Sequence, residues 1–242
     1  MKPPWKWFRK DLVVWKDEAL SETSSDRFVT ILIAPSFDDL TRILAGWVKS
    51  LAQAAAEIVL LEGERASSHL FQITLAQRST ERLLVVFFGH GWFDSFLTAP
   101  HLGFGGERFN GRHSRLCIAS HFDIAANVTV IAFCCKAAQE MGRLLAAREP
   151  PVKFLGFRDD LSFVIGTQAR EEAFARPICT LVRKSLTTGT VDAEDVRSLA
   201  NAYEAESLRW TSGDMASDPL ALLVSGFLDE QRQLIEAKVF ET

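Results

Sequence analysis

Little in this sequence marks it for a membrane, a nucleic acid or an oxidising compartment. No apolar run reaches the roughly 18 residues that a membrane-spanning helix needs, and the longest candidates are short, strand-like stretches such as 83–88. Lys and Arg total 27 against 31 Asp and Glu, a formal charge of −4 with pI ≈ 5.8, so no excess of cations exists to release counterions from a phosphate backbone. There are only four cysteines, Cys117, Cys134, Cys135 and Cys179. One pair is adjacent, a spacing that seldom bridges because the side chains diverge. A soluble protein in the reducing cytoplasm is expected, with no membrane span and no nucleic-acid partner.

Phosphate-binding loops are missing too. The segment Ala34-Pro35-Ser36-Phe37 after the first expected strand has no glycine, which argues against a flavodoxin-like nucleotide binder. Gly103-Phe104-Gly105-Gly106 is not followed by the Lys-Ser/Thr pair that opens a helix in a phosphate cradle. His101, His113 and His121 with Cys117 match no standard zinc spacing, so the expectation is that no metal is needed.

What is present is enough apolar material for a large core: 48% of 242 residues are hydrophobic. The first ten residues are basic and aromatic but lack the apolar stretch and cleavage site of a secretory signal. Residues 1–26 therefore read as an arm that packs Trp5, Trp7 and Trp15 on the domain or on a partner, with one domain over 27–242.

Apolar periodicity gives the order of elements. Strands are expected at 27–34, 57–61, 82–88, 128–134 and 152–157, with helices at 38–54, 67–80 and 136–148 between them. Near-continuous apolar strands alternating with helices indicate an α/β, three-layer αβα sandwich with a mostly parallel central sheet. Between 91 and 127 the order weakens, with a glycine-rich turn or hairpin at 102–107 and a helical turn at 121–125. The last third is helical, at 169–186, 193–210 and 220–236, and its final two helices pack on the sheet or offer a partner surface.

The chemistry-bearing residues stand at two strand ends. Leu83-Leu84-Val85-Val86-Phe87-Phe88 runs into Gly89-His90-Gly91, and Val128-Thr129-Val130-Ile131-Ala132-Phe133 runs into Cys134-Cys135-Lys136-Ala137-Ala138. Open parallel sheets carry their sites at the carboxyl edge. If the two strands are neighbours, an imidazole and a thiol meet there. A free thiol is only a few per cent ionised at neutral pH, and an imidazole with a helix N-terminus lowers its pKa by roughly one to five units. The Gly91 amide and the cysteine amide would be donors to a tetrahedral oxyanion.

These residues resemble the caspase-haemoglobinase superfamily of cysteine peptidases, and within it the caspase-like domains called CHAT, which are related to separase. The resemblance rests on the two strand-end motifs, on His121-Phe122-Asp123-Ile124-Ala125 before the cysteine strand, and on Phe154-Leu155-Gly156-Phe157-Arg158-Asp159-Asp160 after the following helix. It covers roughly residues 27–187. It implies His90 as general base and acid and one of Cys134 or Cys135 as the nucleophile that forms an acyl-enzyme on a protein or peptide substrate, with no cofactor. Cys135 fits the family pattern better, since a small residue precedes it and Ala137 and Ala138 follow. The aspartate that metacaspases place two residues before the cysteine to bind a basic side chain is replaced here by Phe133 or Ala132. Asp159 and Asp160 are the substitutes at hand for substrate binding.

Structural readings of the same residues stand beside this. A cysteine on a buried strand is commonly a small hydrophobe, and Cys179 in an amphipathic helix and His69 in a helix read as packing or surface. A caspase-like module without activity, binding a regulatory partner through its C-terminal helices or Trp-rich arm, is the alternative function.

Overall fold

The computed structural model describes residues 14–16, 28–52, 57–109 and 113–238. In chain order the strands are β1 (Val14–Lys16), β2 (Phe28–Ala34), β3 (Glu57–Glu62), β4 (Arg82–Phe88), β5 (Gly91–Trp92), β6 (Ser95–Thr98), β7 (Phe104–Phe109), β8 (His113–Ile118), β9 (Asn127–Phe133), β10 (Lys153–Phe157) and β11 (Ile235–Lys238). The helices are α1 (Asp39–Ala52), α2 (Ser68–Gln77), α3 (Glu140–Ala146), α4 (Gln168–Thr188), α5 (Ala193–Thr211) and α6 (Ala221–Leu234). None of these helices is long and apolar enough to cross a membrane.

The main sheet has the order β1-β3-β2-β4-β9-β10-β11. Its five inner strands are parallel, and both edge strands are antiparallel. From Leu83 to Phe88 and from Val128 to Phe133 every residue is buried, because helices or a second sheet cover both faces. One face carries Leu32, Val86, Phe88, Ile131 and Phe133 against α1, α4, α5 and α6. The other carries Ile31, Val85, Phe87, Val130 and Ala132 against α2, α3 and the second sheet. The α/β three-layer sandwich expected from the periodicity is what forms.

Helix starts follow local capping chemistry. Ser67 accepts from the Leu70 amide and Thr167 from the Arg170 amide, while Asp192 and Asp195 form a reciprocal box at the start of α5. Gly189 ends α4 with φ at 69°, a left-handed turn that a side chain would resist.

Four local expectations differ from the fold. The 91–127 region is more ordered than expected: β5, β6, β8 and β7 make a separate antiparallel sheet, whose strands of two to six residues are too short to give a period-two signal. The helix expected at 136–148 begins only at Glu140. Lys136 sits at φ 57°, and its amide and that of Ala138 donate across to Asp159 and Phe157 carbonyls at 3.1 Å instead of serving a helical ladder. The helix expected to run to 236 stops at Leu234, where Ile235 turns extended and β11 pairs with β10. Finally, part of the expected 1–26 arm belongs to the sheet, since Val14 and Trp15 pair with Val59 and Ile58. Trp5 and Trp7 lie outside the described residues.

Candidate functional site

The sheet order decides which side chains meet. β4 and β9 are adjacent and parallel, with Phe88 paired to Phe133, and the Gly89 amide extends the ladder by donating to the Phe133 carbonyl at 3.3 Å. Gly89-His90-Gly91 and Cys134-Cys135 therefore leave the same carboxyl edge side by side. At residue 91 the two chains touch. A Cβ built there would lie 2.5 Å from both Cys134 Sγ and the Cys135 carbonyl oxygen, so the approach requires glycine.

Gly91 faces Phe96 across the β5–β6 pair, and the Leu97 amide donates to the His90 carbonyl at 3.0 Å. That pattern makes Gly91 and Phe96 a non-hydrogen-bonded pair, which leaves the Gly91 N–H out of that ladder.

β2 lies on the other side of β4, with Ile33 paired to Phe87. Its loop brings Asp38 to the imidazole: His90 Nε2 is 2.6 Å from Asp38 Oδ2. The second carboxylate oxygen accepts from the Thr41 amide and hydroxyl, each at 2.8 Å, so the start of α1 fixes the carboxylate from behind. Burial would raise the Asp38 pKa, but the hydrogen bonds from Thr41 and His90 and the imidazole charge overcome it and hold the carboxyl below its ordinary value. With Nε2 turned to the carboxylate, Nδ1 is the ring nitrogen left for proton exchange.

His113, at the start of β8, completes the group: its ring centroid is 4.9 Å from that of His90. The Phe37 ring stands against both imidazoles, at 5.7 and 5.3 Å. Ligating atoms of Asp38, His90 and His113 lie within 4.8 Å of one another, a grouping that no other three His, Cys, Asp or Glu among the described residues make. Asp38 and the His90–His113 contact were not expected from the sequence. Their signal is an aspartate four residues beyond the strand that flanks the histidine strand, legible only once the strand order is known.

The two cysteines differ in access. Cys134 is buried at 1% exposure, whereas Cys135 is half-buried and its sulfur accepts from the Leu161 amide at 3.3 Å. Burial raises the pKa of both thiols, of Cys134 far more. The lowering expected from a helix N-terminus is absent because α3 starts five residues past Cys135.

Asp159 and Asp160 follow β10 and frame the cysteine turn. The Asp159 carbonyl accepts from the Lys136 amide, and Asp160 Oδ2 pairs with Lys136 Nζ at 2.7 Å. Lys136 also lies 5.5 Å over the Trp92 ring. A basic side chain bound at Asp160 has to displace this lysine.

Other histidines are elsewhere. His101 Nε2 is 3.0 Å from Glu64, and His69 and His121 line a groove of ≈ 430 Å³ that shares no residue with the strand edge. Cys117 is fully buried in β8, and Cys179 in α4 is buried with its thiol pushed up to about 11 by desolvation. The four residues weighed from sequence as a metal site do not come together; only His113 joins a cluster, with different partners. Compared with models of known protein families and with curated proteins, the chain matches none.

Proposed function

We propose that this chain is a cysteine endopeptidase of the caspase-like, CHAT and separase-related type, with Cys135 as nucleophile and His90 as base and acid. The observation that carries the reading is the adjacency of β4 and β9, which delivers imidazole and thiols to one rim. Cys135 is preferred to Cys134 because a substrate carbonyl needs access that a sulfur in a residue 1% exposed lacks.

The reaction follows from these groups. His90 Nδ1 takes the Cys135 proton as the sulfur attacks the peptide carbonyl carbon, and Asp38 stabilises the imidazolium through Nε2–H. The Gly91 and cysteine amides hold the oxyanion, each donor contributing about 10²–10³ in rate. The imidazolium then gives its proton to the departing amine, leaving a thioester on Cys135. Water, deprotonated by His90, attacks that thioester and releases the carboxylic acid and the thiol. No cofactor enters. Asp159 and Asp160 are the acids available to a basic substrate side chain. The reaction needs reduced cysteine, in keeping with a cytoplasmic setting and with four free thiols.

A second reading is favoured by the raised thiol pKa values: a caspase-like module without activity, binding a partner through its C-terminal helices, where Leu208, Leu222 and Leu223 are exposed. An electrophilic peptide probe separates the two. Labelling that disappears in Cys135→Ala and in His90→Ala supports the peptidase. Absence of labelling under every activating condition supports the module.

A further inference from the structure

We propose that Asp38, His90 and His113 form a binding site for a divalent transition-metal ion of the zinc class, and that the ion blocks the proposed peptidase by occupying His90. The blocking clause rests on the peptidase reading; the metal site stands by itself.

Three segments distant in sequence meet here: the loop after β2, the loop after β4 and the first residue of β8. They offer one carboxylate and two imidazoles, with ligating atoms within 4.8 Å of one another. Two nitrogen donors and a single carboxylate suit a borderline ion; magnesium and calcium would want an all-oxygen shell. Three protein ligands leave the fourth tetrahedral position to water.

The surroundings prepare the ligands. Thr41 holds Asp38 Oδ1 through its amide and its hydroxyl, which aims Oδ2 at His90 as the outer shell of a metal site does. The Phe37 ring limits both imidazoles from one side. Asp38 Oδ2 and His90 Nε2 are 2.6 Å apart, a short hydrogen bond between an imidazole and a carboxylate. Ligands on one tetrahedral zinc are about 3.3 Å apart, so inserting the ion widens this contact by roughly 0.7 Å, within reach of half-buried side chains.

The consequence for His90 is a change of tautomer. An ion on Nε2 takes that lone pair, and the ring proton moves to Nδ1. Nδ1–H can no longer accept the thiol proton, so the loaded chain is latent.

The test uses the full chain stripped of metal with a chelator and titrated with Co²⁺, then Zn²⁺. We expect visible cobalt d–d absorption from about one ion per chain, no near-ultraviolet thiolate-to-cobalt band, and displacement by Zn²⁺. His113→Ala and Asp38→Asn should each weaken binding by about 10–100-fold or more, and Cys135→Ser should leave it unchanged. If circular dichroism finds His113→Ala unfolded, His113→Asn is read the same way. Absence of the cobalt spectrum, its survival in the His113 variant, or its loss in Cys135→Ser overturns the site. A second arm follows Cys135 labelling by the peptide probe, which Zn²⁺ should suppress in the native chain and spare in His113→Ala. Labelling indifferent to Zn²⁺ overturns the blocking claim. A chain that never labels fails the peptidase reading, while the cobalt titration still judges the metal site.

Discussion

His90 Nε2 and Asp38 Oδ2 are 2.6 Å apart, so a carboxylate carried by the strand on one side of β4 orients an imidazole whose proposed thiol partner is carried by the strand on the other. Asp38→Asn keeps an acceptor for the Thr41 amide and hence the start of α1, but it leaves no charge to support an imidazolium. General acid–base catalysis contributes about 10²–10⁴. We expect the probe-labelling rate to fall by a substantial part of that factor in a variant that still folds. A labelling rate within a factor of about two of the native chain's would remove Asp38 from the mechanism.

The same contact makes a statement about acid. The Asp38 carboxyl is held below its ordinary value of about 3.9, so its folded form binds its proton less readily than the unfolded chain does. Its stabilising contribution is therefore full above the ordinary value and is lost as pH falls through the lower, folded one. Urea denaturation of the native chain and of Asp38→Asn should give stabilities that converge as pH drops below about 4. A gap that stays constant to lower pH contradicts the lowered pKa.

Burial holds the Cys135 thiol above its usual range, partly offset by the Leu161 amide. Alkylation of Cys135 by iodoacetamide should therefore keep rising with pH beyond the ordinary thiol range of about 8.5. A thiolate stabilised at rest by an imidazolium would instead give a plateau at neutral or acid pH. Mass spectrometry of the modified peptide distinguishes the two profiles.

Gly91→Ala tests the closest approach in the site. Its Cβ would press on Cys134 Sγ and on the Cys135 carbonyl. The sulfur can rotate away, but the carbonyl is backbone. We expect about 1–3 kcal/mol of destabilisation, rescued only in part by adding Cys134→Ala. Full rescue would mean that the backbone contact is looser than described.

Far from the rim, Glu206 is 5% exposed and accepts from Arg176, Arg209 and the buried Trp210 indole. Both guanidiniums are partly exposed and regain water when the carboxylate goes. The indole N–H does not. Glu206→Ala should cost about 1–3 kcal/mol in chemical denaturation, and Glu206→Gln less because an acceptor remains.

Legibility in the sequence divided along physical lines. The strand expected at 82–88 has those bounds, and the one at 128–134 is displaced by one residue, because strands buried on both faces are written as unbroken apolar runs. Residues 136–139 have helical composition, yet the amides of Lys136 and Ala138 are claimed by the carbonyls of Asp159 and Phe157 at and just past the end of β10, a tertiary contact that no local pattern encodes. Ile235 to Lys238 carries no strand signature and becomes extended only because β10 has a free edge. In the site, His90 and the cysteines could be found since each follows a recognisable strand. Asp38 looked like an ordinary helix start, and its second role depends on β2 lying beside β4. His113 was weighed as a ligand with the wrong companions, since the second sheet that carries it to His90 was not foreseen.

The way β11 closes the sheet ties the last described helix to the rim that carries Cys135. The Arg158 amide donates to the Leu234 carbonyl, Arg158 Nη2 to Gln233, and Gln231 Nε2 to the Ser162 carbonyl. These bonds flank the loop whose Leu161 amide steadies the Cys135 sulfur. Clipping the chain before Ile235 would thus do two kinds of damage at once. It would bare the β10 backbone as a template for stray strand pairing between molecules, and it would slacken the mooring of the proposed nucleophile a whole domain's length away in sequence.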